Sequence, residues 1–141
     1  MDEVTRREII MENYMHPSNR KRMETEEYVK TNTRNVSCID NLDIYVKFRD
    51  DKIEDITFEG EACAISISAT SVMINNLIGK TKEEALEYIR NFYSMTDGHE
   101  YNEELLQEGV AYSDIYKQGN RKTCATLPFR GIEKVILDSL K

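Results

Sequence analysis

Hydrophobic and polar residues alternate with different periods along this chain, and each change of period marks an element. The first stretch reads as a helix up to Pro17. Val4, Ile10, Met11 and Tyr14 share one side, and Glu8 and Glu12 fall on the other. Proline ends it by lacking a backbone donor and clashing with the preceding turn. Residues 16–37 show no period and read as irregular polar chain. From Leu42 the period falls to two. Leu42, Ile44, Val46 and Phe48 alternate with Asp43, Tyr45 and Lys47, the pattern of a half-buried strand. Arg49-Asp50-Asp51-Lys52 supplies a polar turn, and Ile53 to Glu59 returns with Ile56 and Phe58 inward. This pair predicts a hairpin.

Residues 62–78 alternate locally at Ile65-Ser66-Ile67-Ser68, but the longer window has helical spacing. Ile65, Ala69, Val72 or Met73, and Leu77 recur over about four turns. Gly79 closes that helix. Thr81 and Glu84 form a capping box for the next one, whose apolar stripe is Ala85, Leu86, Ile89, Phe92 and Tyr93. Residues 96–120 are polar, with room for a short helix near Asn102 to Glu108. The last helix is predicted from about Thr126 to Leu140, because Pro128 is tolerated only in a first turn. Strands segregated from helices imply an α+β fold: a small antiparallel sheet of two or three strands with helices on one face.

Composition narrows the function. At 141 residues the chain has the length of one domain, residues 1–141. Its formal charge of −7 argues against a nucleic-acid-binding surface, which needs a basic footprint. No apolar run is long enough to span a bilayer. The charged start, with no apolar stretch behind it, is unlike a secretory signal. These features predict a cytoplasmic protein.

In that compartment the three cysteines point to metal or redox chemistry rather than to a disulfide framework. Cys38 and Asp40 flank one residue just before the first predicted strand, and residues two apart in extended chain point the same way. Cys63 opens a predicted helix, where free N–H groups lower a thiol's pKa. Cys124, placed before the last helix, gains a similar effect. Thiolates with a carboxylate suit zinc, and iron–sulfur clusters are the other soft-ligand candidate. The spacing alone also fits three unrelated buried thiols, with Asp40 as a strand-end cap.

The local sequences add a resemblance. Asn35-Val36-Ser37-Cys38-Ile39-Asp40 resembles the Asn-Pro-x-Cys-Gly-Asp motif of the NifU/IscU/SufU family of iron–sulfur assembly proteins. Phe58-Glu59-Gly60-Glu61-Ala62-Cys63-Ala64-Ile65-Ser66 resembles that family's Phe-x-Gly-x-Gly-Cys-x-Ile-Ser segment. Cys124-Ala125-Thr126-Leu127 resembles its third cysteine motif, and Tyr14, Pro17 and Asn19 its N-terminal Tyr-x-x-Pro-x-Asn. Scaffold members of the IscU type carry a histidine before the third cysteine, where this chain has Thr123. The long stretch from Gly79 to Cys124 is similar to the insertion of the SufU branch. The resemblance implies zinc held by Cys38, Asp40, Cys63 and Cys124. It implies sulfur accepted on Cys38 from a cysteine desulfurase, a sulfurtransferase-like role, and an assisting Arg121 three residues before the third cysteine. Arg121 or Lys122 is expected to offset the negative centre. Ile39, Ala62 and Val36 depart from the motif's two glycines and its proline, and Ile39 implies a differently turned loop.

Two rivals stand beside this expectation: a scaffold assembling a [2Fe–2S] cluster on the same ligands, and a zinc-stabilised binding module. Gly79-Lys80-Thr81 is not a phosphate loop, because Ile74 occupies the position of its first glycine. His16 and His99 read as cap and surface residues. Arg20-Lys21-Arg22 reads as a solvated charge run or a docking contact for an acidic partner.

Overall fold

The computed structural model describes residues 1–141. Helix α1 (Glu3–Met15) leads into strands β1 (Val29–Arg34), β2 (Asn41–Arg49) and β3 (Lys52–Glu61). Helices α2 (Ala64–Leu77), α3 (Lys82–Thr96) and α4 (Glu103–Leu106) follow. Two 3₁₀ turns, Gln107–Tyr112 and Ile115–Lys117, precede the long α5 (Gly119–Ser139). The strands form one antiparallel sheet in the order β1-β2-β3, and the fold is α+β as the pattern predicts. No helix is long and apolar enough to cross a membrane.

The β2–β3 hairpin forms where alternation predicts it, with Ile44 opposite Phe58 and Val46 opposite Ile56. Asp50 takes the turn in the left-handed region at φ 54°. Tyr45, on the side read as polar, is buried as well. The capping box is present in both directions: Glu84 N–H donates to Thr81 Oγ1, and Thr81 N–H donates to Glu84 Oε1. Gly79, at φ 91°, provides the turn after α2 and donates its N–H to the Ile53 carbonyl. The short helix near 102–108 is α4 with the 3₁₀ turn behind it. Phe92, Phe129 and Tyr88 stack at the centre of the core, with the Phe92–Phe129 centroids 4.0 Å apart.

Three expectations need correction. First, residues 29–34 are strand rather than irregular chain; β1 pairs with β2 from Val29↔Val46 to Arg34↔Asn41. It is an edge strand whose only buried residue is Thr33, so it carries no apolar alternation to read. Second, α1 does not bury the predicted face. Val4, Met11 and Tyr14 are exposed, and Asn13 is the buried residue, with Ile9 and Ile10 packed against the core. A polar contact sets this orientation, because Asn13 Oδ1 accepts from Ser71 Oγ on α2 at 2.7 Å. Third, α5 begins at Gly119, before Cys124, and Pro128 lies inside it.

Candidate metal centre

The loop 35–40, the entry to α2 and the second turn of α5 meet at one end of the sheet. Two backbone bonds close the loop: Cys38 N–H to the Asn35 carbonyl, and Asn35 N–H to the Asp40 carbonyl, both at 3.0 Å. Asn35 Oδ1 also accepts from Ser37 N–H and Ser37 Oγ. Neither Ile39 nor Ala62 has a positive φ, so this loop needs no glycine at the positions where the family motif has one. Cys63 sits at the N-cap of α2 in extended conformation, as the sequence predicts.

The structure brings three of the four predicted donors within reach of one another and sets the fourth, Cys63, beside Asp40. Ligand atoms of Cys38, Asp40 and Cys124 all lie within 4.8 Å of one another. Cys63 Sγ lies 3.8 Å from Asp40 Oδ2. Tetrahedral zinc with bonds near 2.3 Å separates its ligands by about 3.7 Å. Cys38, Asp40 and Cys124 are spaced so that they could close on one ion, Cys63 stands outside that group of three, and no disulfide links the thiols.

The donors differ in exposure, and that difference assigns them different duties. Asp40 is buried, Cys124 is buried, Cys63 is half-buried and Cys38 is exposed. Asp40 is fixed from two sides: Cys63 N–H donates to Oδ1 at 2.7 Å, and Ser66 Oγ lies 2.9 Å from Oδ2. Burial pushes the Asp40 carboxyl up, but the Cys63 N–H, Ser66 and the two thiols outweigh it and hold the carboxyl below its ordinary range. At Cys124 burial dominates and drives the thiol well above its ordinary value, helped by the neighbouring Asp40 and Cys63. The helix-start effect expected at Cys124 is therefore absent, since the residue stands in the second turn rather than before the first.

Arg121 is also on α5, three residues before Cys124 and thus on the same side of the helix. It is exposed, and its side chain enters none of the structure's side-chain hydrogen bonds or ion pairs. It borders neither cleft that contains Cys38. Lys122 pairs with Asp97 instead of facing the thiols. Thr123 lines the cleft formed by Asn35, Ser37, Cys38, Asn120 and Cys124. A side chain at position 123 therefore borders the donors.

Sequence reasoning missed the role of Ser66 and Pro128. Pro128 has no N–H to give the carbonyl four residues back, which is that of Cys124. Ser66 Oγ reaches that orphaned oxygen at 2.8 Å while also lying against Asp40. One buried hydroxyl thus ties α2, α5 and the carboxylate together. The signal was present as a proline four positions after a cysteine. Ser66→Ala is expected to cost about 1–3 kcal/mol by leaving buried acceptors unpaired. Adding Pro128→Ala returns an N–H to the Cys124 carbonyl and should recover part of that loss. Chemical denaturation of the single and double variants measures both, and additive effects would contradict the link.

Comparison with known proteins agrees with this geometry. The model of the NifU-like N-terminal domain matches residues 5–125. The zinc-dependent sulfurtransferase SufU of Bacillus subtilis is 34% identical over 129 residues, covering 91% of this chain and 86% of that protein. The iron–sulfur cluster assembly scaffold protein IscU of Streptococcus pyogenes is 33% identical over 129 residues, covering 91% and 80%. The crystal structure of a protein described as an iron–sulfur cluster assembly scaffold for the SUF system, from Fervidobacterium islandicum AW-1, superposes with a TM-score of 0.85. It is 34% identical and covers 94% of this chain and 97% of its own. Matched along most of its length in sequence and in fold, the chain belongs to the NifU-like N-terminal domain family.

Proposed function

We propose that the protein serves iron–sulfur cluster assembly as a zinc-dependent sulfur acceptor working with a cysteine desulfurase. One observation carries the reading: Cys38, Asp40 and Cys124 converge with Cys63 beside Asp40, and among the thiols only Cys38 is exposed. The relative named as a zinc-dependent sulfurtransferase supports the same chemistry. Cys38, Asp40, Cys63 and Cys124 would hold the metal. Zinc in such a set keeps thiols deprotonated at neutral pH and has no redox chemistry of its own.

The chain's residues divide the work by their burial. Asp40, Cys63 and Cys124 anchor, because their surroundings fix them. Cys38 sits on a loop held by local bonds and is the side chain able to move. As a thiolate, Cys38 Sγ attacks the terminal sulfur of a persulfide on the desulfurase. A sulfur–sulfur bond forms at Cys38 as the donor's own sulfur–sulfur bond breaks. The donor cysteine leaves as a thiolate, so atoms and electrons balance without an oxidant. Arg121, uncommitted and one turn from Cys124, would face the donor from the rim of α5.

The relative named as a scaffold supports a second reading, in which the same four donors hold a [2Fe–2S] cluster. Thr123 disfavours it, since a threonine on the cleft offers no imidazole to the centre. Protein isolated without oxygen is expected to be colourless, to contain about one equivalent of zinc, and to raise desulfurase turnover about tenfold or more. Brown protein with thiolate-to-iron absorption would establish the scaffold instead. Zinc content with no effect on turnover would leave only a metal-stabilised binding module.

A further inference from the structure

Two branched apolar side chains flank the exposed thiol. Val36 is 96% exposed and Ile39 is 69% exposed. They contribute nothing to the core, so folding does not account for them. Single exposed apolar residues are ordinary, but two within four positions, bracketing a reactive cysteine, form a patch. The family motif has proline and glycine at these places, so the apolar bulk is a property of this chain.

On one side of the loop lies a cleft of about 400 Å³ whose lining includes Arg22, Arg34, Cys38 and Ile39. Neither arginine makes a salt bridge, because the chain's ion pairs all involve other residues. The acidic side chains in the same cleft are Asp40, Asp43 and Glu61. Asp40 is turned to Cys63 and Ser66, and Asp43 is paired with Lys30, which leaves Glu61 as the one carboxylate without a partner. Arg22 and Arg34 are thus cations without an ion-pair partner beside the thiol, on a chain whose net charge is −7.

We infer that Val36 and Ile39, rimmed by Arg22 and Arg34, are the surface that docks the persulfide-bearing protein. Its complementary face is an apolar recess bordered by carboxylates. This inference rests on the acceptor role proposed for Cys38. The donor sulfur must come within about 2 Å of Cys38 Sγ to bond. Val36 and Ile39 lie within about 8 Å of the Cys38 Cα by chain length alone. A protein that delivers sulfur to Cys38 therefore comes against this loop, with Ile39 lining the same cleft as the thiol and Val36 two residues from it. Apolar contact at the centre of such an interface supplies affinity, and rim charges supply approach rate and salt dependence.

The test titrates wild-type and variant protein, zinc-loaded, into the cysteine desulfurase of the same organism with cysteine as substrate. Val36→Asp and Ile39→Asp are expected to raise the half-stimulating concentration about tenfold or more, which corresponds to about 1.4 kcal/mol each. Val36→Leu and Ile39→Leu should restore wild-type values. Arg22→Gln with Arg34→Gln should flatten the salt dependence of the half-stimulating concentration. Zinc content and thermal midpoint show that each variant is folded. If wild-type protein stimulates and the aspartate variants match it, the docking surface is wrong while the acceptor role stands. If wild-type protein neither gains sulfur nor stimulates, both readings fall.

Discussion

Cys38→Ser protein mixed with a charged desulfurase is expected to gain no sulfur. Persulfide on the chain, read by mass spectrometry, should fall about a hundredfold or more below wild type. The reason is electronic and steric together. A thiolate at neutral pH is a strong nucleophile toward a sulfur–sulfur bond, whereas a serine hydroxyl is not ionised and forms no stable analogue of a persulfide. Exposure is the other half. The serine replaces the most exposed thiol, since Cys63 is half-buried and Cys124 is buried. The fold should be unaffected, because the Cys38 side chain makes no contact the core depends on and the loop bonds are backbone and Asn35 bonds. Cys124→Ser should in addition cost stability of the fold itself, because it alters a buried side chain beside Asp40 and Cys63, whereas Cys38→Ser removes only an exposed member of the proposed donor set. A Cys38→Ser chain still carrying one added sulfur would reject Cys38 as the acceptor.

Gly60→Ala is expected to weaken the whole domain and to disturb the proposed metal centre with it. Gly60 closes β3 opposite Leu42 at φ 137°, a backbone region that L side chains avoid. A Cβ there would stand 2.2 Å from the Asn41 carbonyl oxygen, so backbone must move. Strain of about 1–3 kcal/mol adds to a similar overpacking cost. Against a typical stability of about 5–15 kcal/mol that is a large fraction. The thermal midpoint should fall by about 10 °C or more. Asn41 adjoins Asp40, so the same displacement moves a proposed metal donor. Gly79→Ala is the control. Its φ is 91°, but nothing lies within 4 Å of the new Cβ, so only the strain cost applies. Calorimetry giving Gly60→Ala the same midpoint as Gly79→Ala would show that the close approach to Asn41 is not real.

Both predictions depend on features of unequal legibility. Gly60 and the three cysteine motifs can be picked out along the chain, and so can the β2–β3 alternation and the Thr81–Glu84 box. Each rests on residues near one another in sequence, where periodicity and capping act. The orientation of α1 was not legible, because a single buried Asn13–Ser71 hydrogen bond overrides an apolar stripe that would have been turned inward. Strand β1 was not legible either. An edge strand with one buried threonine leaves almost no hydrophobic record, although Thr33 anchors it through a bond to the Leu127 carbonyl on α5. The start of α5 was misplaced because Pro128 was assigned to a first turn. The folded chain accepts an interior proline there by giving the orphaned Cys124 carbonyl to Ser66.

By itself the amino-acid order determined which elements form over most of the length, the class of fold, and which four side chains are the candidate donors. These follow from short-range periodicity, from capping, and from motifs a few residues long. Only the tertiary structure decided that the donors share one place, that Cys38 alone among the thiols faces outward, and that Ser66 holds Asp40 and α5 in position. Those facts join residues as far apart as Asp40 and Cys124, and burial and hydrogen bonding across such separations exist only once the helices have packed on the sheet.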